Sequence, residues 1–246
     1  LVQQNTEFSR LKTEIAAITA HLRTSALAKG YLFHKTIHTL PWFLVLGSSL
    51  AEKNKLLQHS GLSLASSLPA HLLNANHYCE WQFTNQAIFL NTRAETQDNC
   101  QWQLFLELLR KHRSNPALNG VLILLNLKEI LSSNPEQLEQ KLSKIQIEIR
   151  DLHKQLGQLL PIYFIFTEFE SLAGFSEYFS FLNPDERQQA FGIYFPKSSS
   201  LAEKINRLDS GFSQLTQALS CLSLNAVEVH LHSLARLKAL GFPREM

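Results

Sequence analysis

An α/β domain built on a largely parallel sheet is the fold class this sequence predicts. Continuous apolar runs of strand length recur at residues 40–47, 121–125, 161–166 and 191–195. Between them lie stretches whose apolar residues step at helical spacing. Strands that are apolar along their whole length are buried on both faces, as parallel strands under crossover helices are.

The elements follow in order. Residues 5–28 read as an amphipathic helix, with Phe8, Leu11, Ile15, Ile18 and Leu22 on one face. Residues 40–47, Leu-Pro-Trp-Phe-Leu-Val-Leu-Gly, form the first buried strand. Helical spacing resumes over 53–60, and Gly61 closes it. Within 80–91, two short runs, 81–83 and 87–90, flank Thr84-Asn85-Gln86, which predicts an antiparallel hairpin. Residues 98–113 are a helix, 116–120 its exit loop and 121–125 the second buried strand. Asn134 then caps a long helix, with Pro135 at its first position and Gln137 completing a capping box. Its apolar stripe is Leu138, Leu142, Ile145, Ile149, Leu152 and Leu156. Residues 161–166 and 191–195 supply the third and fourth strands, and helices over 199–222 and 226–240 end the chain.

Composition excludes several classes. The 246 residues are 45% hydrophobic and 18% charged, which excludes a disordered chain. A formal net charge of +2 and the lack of long basic runs argue against a nucleic-acid binder. Arg110-Lys111-His112-Arg113 closes a helix, where cations are favoured. Three cysteines without CxxC spacing suit a reducing compartment rather than a disulfide scaffold. No apolar run approaches the roughly 18 residues of a membrane helix. A chain that starts at Leu1 and carries its only methionine at Met246 reads as a fragment or a processed product.

The chemistry-bearing patterns are incomplete. Gly47-Ser48-Ser49-Leu50-Ala51-Glu52-Lys53-Asn54 places Gly47 and Lys53 in register with a GxxxxGK[ST] phosphate loop. The second glycine is Glu52, however, and the magnesium-binding hydroxyl is replaced by Asn54. Lys53 is therefore expected on the surface, paired locally with a carboxylate. Residues 61–65 nearly spell a nucleophile elbow but follow a helix and lack its final glycine. His77 and Cys79 lie close enough to share a metal but have no second pair at zinc-site spacing, and His230 and His232, two apart, cannot share one helix face. Trp42, Trp81 and Trp102 read as core anchors.

The 40–47 segment resembles the corresponding strand of the IcmF/TssM family, inner-membrane components of bacterial type IVB and type VI secretion systems. The resemblance continues collinearly through His59-Ser60-Gly61-Leu62, Cys79-Glu80-Trp81-Gln82-Phe83-Thr84, Asn119-Gly120-Val121, Leu172-Ala173-Gly174-Phe175-Ser176-Glu177 and Gly241-Phe242-Pro243. It implies a GTPase-like (P-loop NTPase-type) core at 40–197, with an antiparallel hairpin in a mostly parallel sheet. An N-terminal helical segment at 1–39 and a C-terminal helical extension at 198–246 would flank it.

Against the family's nucleotide motifs this sequence departs at most positions. The Asp-Thr-Ala-Gly motif, whose Asp serves magnesium, matches Asn91-Thr92-Arg93-Ala94, and the guanine-reading Thr-Lys-x-Asp matches Thr167-Glu168-Phe169-Glu170. Gly47, Glu52, Lys53, Asn54, Asn91, Thr92, Thr167, Glu168 and Glu170 therefore outline a vestigial nucleotide pocket with no cofactor. The resemblance implies a non-catalytic scaffold, a pseudo-GTPase, on the cytoplasmic face of the inner membrane. It would bind a DotU/TssL-type membrane protein and other secretion components, with membrane attachment lying outside residues 1–246. A nucleotide-driven switch is the alternative.

Overall fold

The computed structural model describes residues 9, 12, 13, 16, 17, 40–64, 79–93, 99–113, 116–196, 200–229 and 232–246. The expected helix at 5–28, and His77 and His230, lie outside the described residues apart from those five positions. The chain forms two compact units, Leu1–Thr167 and Glu168–Met246.

The first unit is built on a five-stranded sheet. Its strands are β1 (Trp42–Gly47), β2 (Cys79–Phe83), β3 (Ile88–Thr92), β4 (Gly120–Asn126) and β5 (Ile162–Thr167). Their order is β2-β3-β1-β4-β5. Every pairing is parallel except β2 with β3, which is the expected antiparallel hairpin. Thr84 closes its turn: the hydroxyl donates to the Ala87 carbonyl at 2.8 Å and accepts from the Ala87 N–H at 2.9 Å. Helices α1 (Leu50–Gln58), α2 (Asn99–His112), α3 (Leu127–Ser132) and α4 (Pro135–Leu156) belong to this unit. The capping box at Asn134 and Gln137 and the proline at the start of α4 are as expected, and Gly157 ends the helix in the left-handed conformation. The six-residue α3 leaves no periodic signature in the sequence.

Alternation along β1 sorts the core into two layers. Trp42, Leu44 and Leu46 join Trp81, Ile88, Leu90, Trp102, Phe105, Leu109, Ile123, Ile145 and Leu152, on the side covered by α2 and α4. Val45 joins Phe89, Leu124 and Leu57 of α1 on the other side. All three tryptophans are buried, as core anchors should be. Trp42 meets Trp81 edge to face, with ring centroids 5.3 Å apart. Each such side chain removed from water contributes about 1.5–3 kcal/mol. The Arg113 guanidinium lies 5.0 Å from the Trp42 ring centre and donates to the Leu40 carbonyl and Asn119 Oδ1, both at 3.0 Å. It locks the exit of α2 to the start of β1, and burial pushes its pKa down to about 10.

Two strand expectations need correction. The run 161–166 does form a strand, but it is not buried: Tyr163, Phe164 and Phe166 are 49%, 57% and 42% exposed. Its neighbour on one side is β4, and among the described residues no strand lies on the other. Residues 191–195 form no strand. Instead Ile193 seats against Gly211, where a Cβ would lie 2.8 Å from its Cγ2, and the Tyr194 carbonyl accepts from Arg207 Nε at 2.8 Å. An apolar run becomes a strand only with a ladder partner, and this one is held by a helix.

The second unit contains a short helix α5 (Phe175–Tyr178) and two longer ones, α6 (Leu201–Glu228) and α7 (Ser233–Glu245). The break between the last two comes later than the spacing predicts. Tyr178, Leu219, Ala226, Ala239 and Phe242 form its core, and the Tyr178 hydroxyl donates to the Leu219 carbonyl. Two blocks that carried the family resemblance meet here. Gly174 (φ 85°) lets α7 approach so closely that a Cβ would sit 2.1 Å from the Lys238 carbonyl oxygen. Phe175 meets Phe242 edge to face at 5.6 Å, and Lys238 pairs with Glu177 at 3.1 Å. Gly174→Ala should therefore destabilise the protein by about 2 kcal/mol or more. A chemical-denaturation midpoint unchanged by the substitution would disprove this close approach.

Candidate functional site

The crevice outside the C-terminal ends of parallel strands, where the strand order reverses, is where α/β sheets bind ligands. Here the order reverses at β1, which has β3 on one side and β4 on the other. Six of the expected site residues converge on this end: Gly47 closes β1, Glu52, Lys53 and Asn54 lie in α1, and Asn91 and Thr92 end β3. Thr167 ends β5 opposite Asn126 of β4. Its hydroxyl is shielded from solvent without a hydrogen-bond partner. Glu168 and Glu170 open the second unit. Glu168 has a left-handed backbone (φ 59°), and Glu170 lies exposed in a 3-10 turn.

The turn after β1 is short. Only Ser48 and Ser49 separate β1 from α1, which begins three residues earlier than the spacing predicts. Gly47 (φ 88°) brings the backbone against β4, where a Cβ would lie 2.1 Å from the Leu124 carbonyl oxygen. The N–H and hydroxyl of Ser48 both donate to that same oxygen, at 3.1 and 3.2 Å. Donors that a phosphate loop would turn inward are spent on the neighbouring strand.

Glu52 occupies the helix N-terminus itself. Its Oε2 accepts from the Ser49 N–H and hydroxyl, each at 3.1 Å, and the Glu52 N–H in turn donates to Ser49 Oγ. Its Oε1 accepts from Asn126 Nδ2, and Asn126 Oδ1 accepts from the Glu129 N–H at the start of α3. A carboxylate thus sits where a helix dipole would otherwise attract an anion, and it bridges the ends of β1 and β4. The signal was legible: Ser49 followed three residues later by Glu52 is a capping box.

Lys53 corrects the sequence expectation most sharply. It is fully buried, not a surface lysine. Its Nζ donates to the Thr92 carbonyl at 2.6 Å and Thr92 Oγ1 at 3.2 Å, and that hydroxyl donates to the Val45 carbonyl at 3.0 Å. Burial lowers its pKa to about 8, opposed by the carboxylates of Glu148 and Glu52 and assisted by the Lys144 ammonium. Burial also raises the Glu148 pKa, against the pull of Lys144 and Lys53.

Asn54 continues the lattice. Its Oδ1 accepts from Gln82 Nε2 at 2.6 Å and Asn91 Nδ2 at 3.1 Å, while its Nδ2 donates to Glu80 Oε1 at 3.3 Å. The side-chain amide oxygens of Asn91 and Gln82 are left buried without a partner in this lattice. Both are acceptors, and a phosphate requires donors. A hollow of about 590 Å³ beside α4 is bordered by Trp102, Lys144 and four carboxylates, Glu136, Glu139, Glu148 and Asp151, a charge that disfavours an anion. Among the described residues no group of three His, Cys, Asp or Glu side chains could hold a metal ion.

Two consequences are measurable. Glu52→Ala should cost about 1–2 kcal/mol through loss of the cap and of the Asn126 acceptor, read by urea unfolding. Lys53 should also make stability depend on pH. Below pH 8 both folded and unfolded states hold its proton, and the burial penalty is fully present. Between about 8 and 10.5 the folded state sheds the proton first, so stability rises with pH. Relative to Lys53→Met, the wild type should gain up to about 3 kcal/mol across that window. A stability difference that stays constant with pH would contradict this.

A family model described as the IcmF-related N-terminal domain matches residues 95–246. The chain is also 29% identical, over a 254-position alignment covering 97% of its length, to the type VI secretion system component TssM1 of Pseudomonas aeruginosa. It spans 23% of that relative's length. No solved structure matches. With the model covering more than half of its residues, and with the 172–177 and 241–243 blocks packed on each other in the fold, this chain belongs to the IcmF/TssM family.

Proposed function

We propose that this domain is a non-catalytic scaffold within a bacterial secretion-system protein of the inner membrane. Its GTPase-like core would have exchanged ligand binding for internal hydrogen bonding. The antiparallel β2 at the edge of an otherwise parallel sheet, and the helix that follows central β1, support the GTPase-like reading. The observation that carries the loss of nucleotide binding is the Glu52 carboxylate. It caps α1 and grips Asn126 across the crevice in which a nucleotide would lie. Lys53, turned inward onto Thr92, offers no ammonium to a β- or γ-phosphate without unmaking two buried hydrogen bonds.

The secretion role rests on kinship with TssM1. Among the described residues no helix is long and apolar enough to cross a membrane, so attachment would come from other parts of the parent protein. The domain would act on the cytoplasmic face through contacts with a DotU/TssL-type protein and other components of the complex. Calorimetric titration of the 246-residue protein with GTP or ATP plus magnesium should give no binding at physiological concentration. The cognate DotU/TssL-type cytoplasmic domain should bind without nucleotide. A micromolar dissociation constant for either nucleotide would replace the scaffold with a switch, since a ligand held by the folded state must stabilise it.

A further inference from the structure

The hollow beside α4 lies within the first unit, on a helix that carries none of the nucleotide motifs. Of the residues that border it, Glu136, Glu139, Ser143, Ile147 and Asp151 follow one another at spacings of three and four, with Lys144 and Glu148 beside them. They form one stripe of the helix. At 1.5 Å per residue the stripe is about 22 Å long, so the hollow is a trough along α4. Trp102 of α2 borders it as well.

Glu148 is the unusual member. It is only 8% exposed, yet among the described residues no hydrogen bond or ion pair reaches its carboxylate. Burial raises its pKa against the pull of the Lys144 and Lys53 ammonium groups. A buried carboxylate without a donor is costly, and a cation entering the trough supplies the missing partner. Four carboxylates meet one ammonium there, in a protein whose formal net charge is +2, so the negative charge belongs to the trough.

The charges are spread rather than gathered. Among the described residues no three acidic side chains converge on a metal ion. Glu139 and Glu148 stand nine positions apart, about 13 Å along the helix. Between them lie Ser143, the exposed side chain of Ile147, and Lys144, whose ammonium repels a cation in the middle. An extended peptide turns residues i, i+2 and i+4 to one face and covers about 13 Å in those four steps.

We propose that the trough along α4 binds an extended basic segment of a partner protein, in which two Arg or Lys side chains flank an apolar one at spacings of two residues. One basic side chain meets Glu136 and Glu139, the apolar one lies over Ser143 and Ile147, and the other basic one reaches Glu148 and Asp151. This gives the scaffold reading a contact face and rests on it. The two fail separately, because nucleotide titration tests the crevice at the strand ends and peptide titration tests the trough.

Calorimetric titration of the 246-residue protein with the capped peptide Arg-Ala-Leu-Ala-Arg, at low salt, should show saturable one-to-one binding. Glu148→Gln should weaken it about tenfold or more. The same peptide with Gln for both Arg should not bind. Glu107→Gln, which removes an exposed carboxylate of α2 outside the trough, should change nothing. Thermal melts separate the site from the fold. Glu148→Gln should melt at or above the wild-type temperature, and the peptide should raise the midpoint of the wild type alone. A Glu148→Gln protein that melts well below wild type would overturn the proposal, making Glu148 the counter-charge of Lys53. Absence of saturable binding, or equal weakening by Glu107→Gln, would overturn it too. Spermine, which carries ammonium groups along its whole length, should bind more weakly than the peptide. Tighter binding of spermine would assign the trough to a free polyamine and overturn the partner segment.

Discussion

The ammonium of Lys53 is buried in the interior of the first unit, and its hydrogen bonds join three elements at once. Through Thr92 it ties α1 to β3, and through the Thr92 hydroxyl to β1. A charge costs several kcal/mol to remove from water, and one that remains buried needs its donors satisfied. That requirement fixes where α1 starts, how close it lies to the sheet, and which way Asn54 faces. Asn54 in turn gathers Gln82 and Asn91 from the two strands of the hairpin. The end of the sheet that would normally stay open for a ligand is therefore its most heavily cross-linked part.

The opposite end of the strands is closed differently. Arg113 holds the start of β1 with one ring contact and hydrogen bonds to the backbone and to Asn119. Both ends of the central strand are thus secured by a buried cation, Lys53 from α1 and Arg113 from the tail of α2. Side to side, the sheet is unequal. The hairpin edge is buried, whereas β5 keeps its aromatic residues exposed. A parallel edge strand with apolar side chains in water is uncommon in an α/β sheet. The second unit shows the same economy: its core is dense around Tyr178 and Phe242, and half of its longest helix is left open.

Local patterns in the sequence determined much of this. The continuous apolar runs of β1 and β4, the two short runs and polar turn of the hairpin, and Asn134-Pro135 with Gln137 at the head of α4 each encode hydrogen bonding within a few residues. The family blocks around Gly174 and Phe242 were equally legible, and the fold shows why their spelling matters: a glycine and an aromatic ring face each other across a close helix approach. Only the tertiary structure decided the rest. Lys53 reads the same in sequence whether it faces water or a buried carbonyl, because its orientation depends on Thr92, 39 positions away. Residues 161–166 and 191–195 are equally apolar, yet the first pairs with β4 and the second rests on a helix. Periodicity records which side of an element is apolar. What covers that side is set by chain segments far away in sequence, and no local pattern contains them.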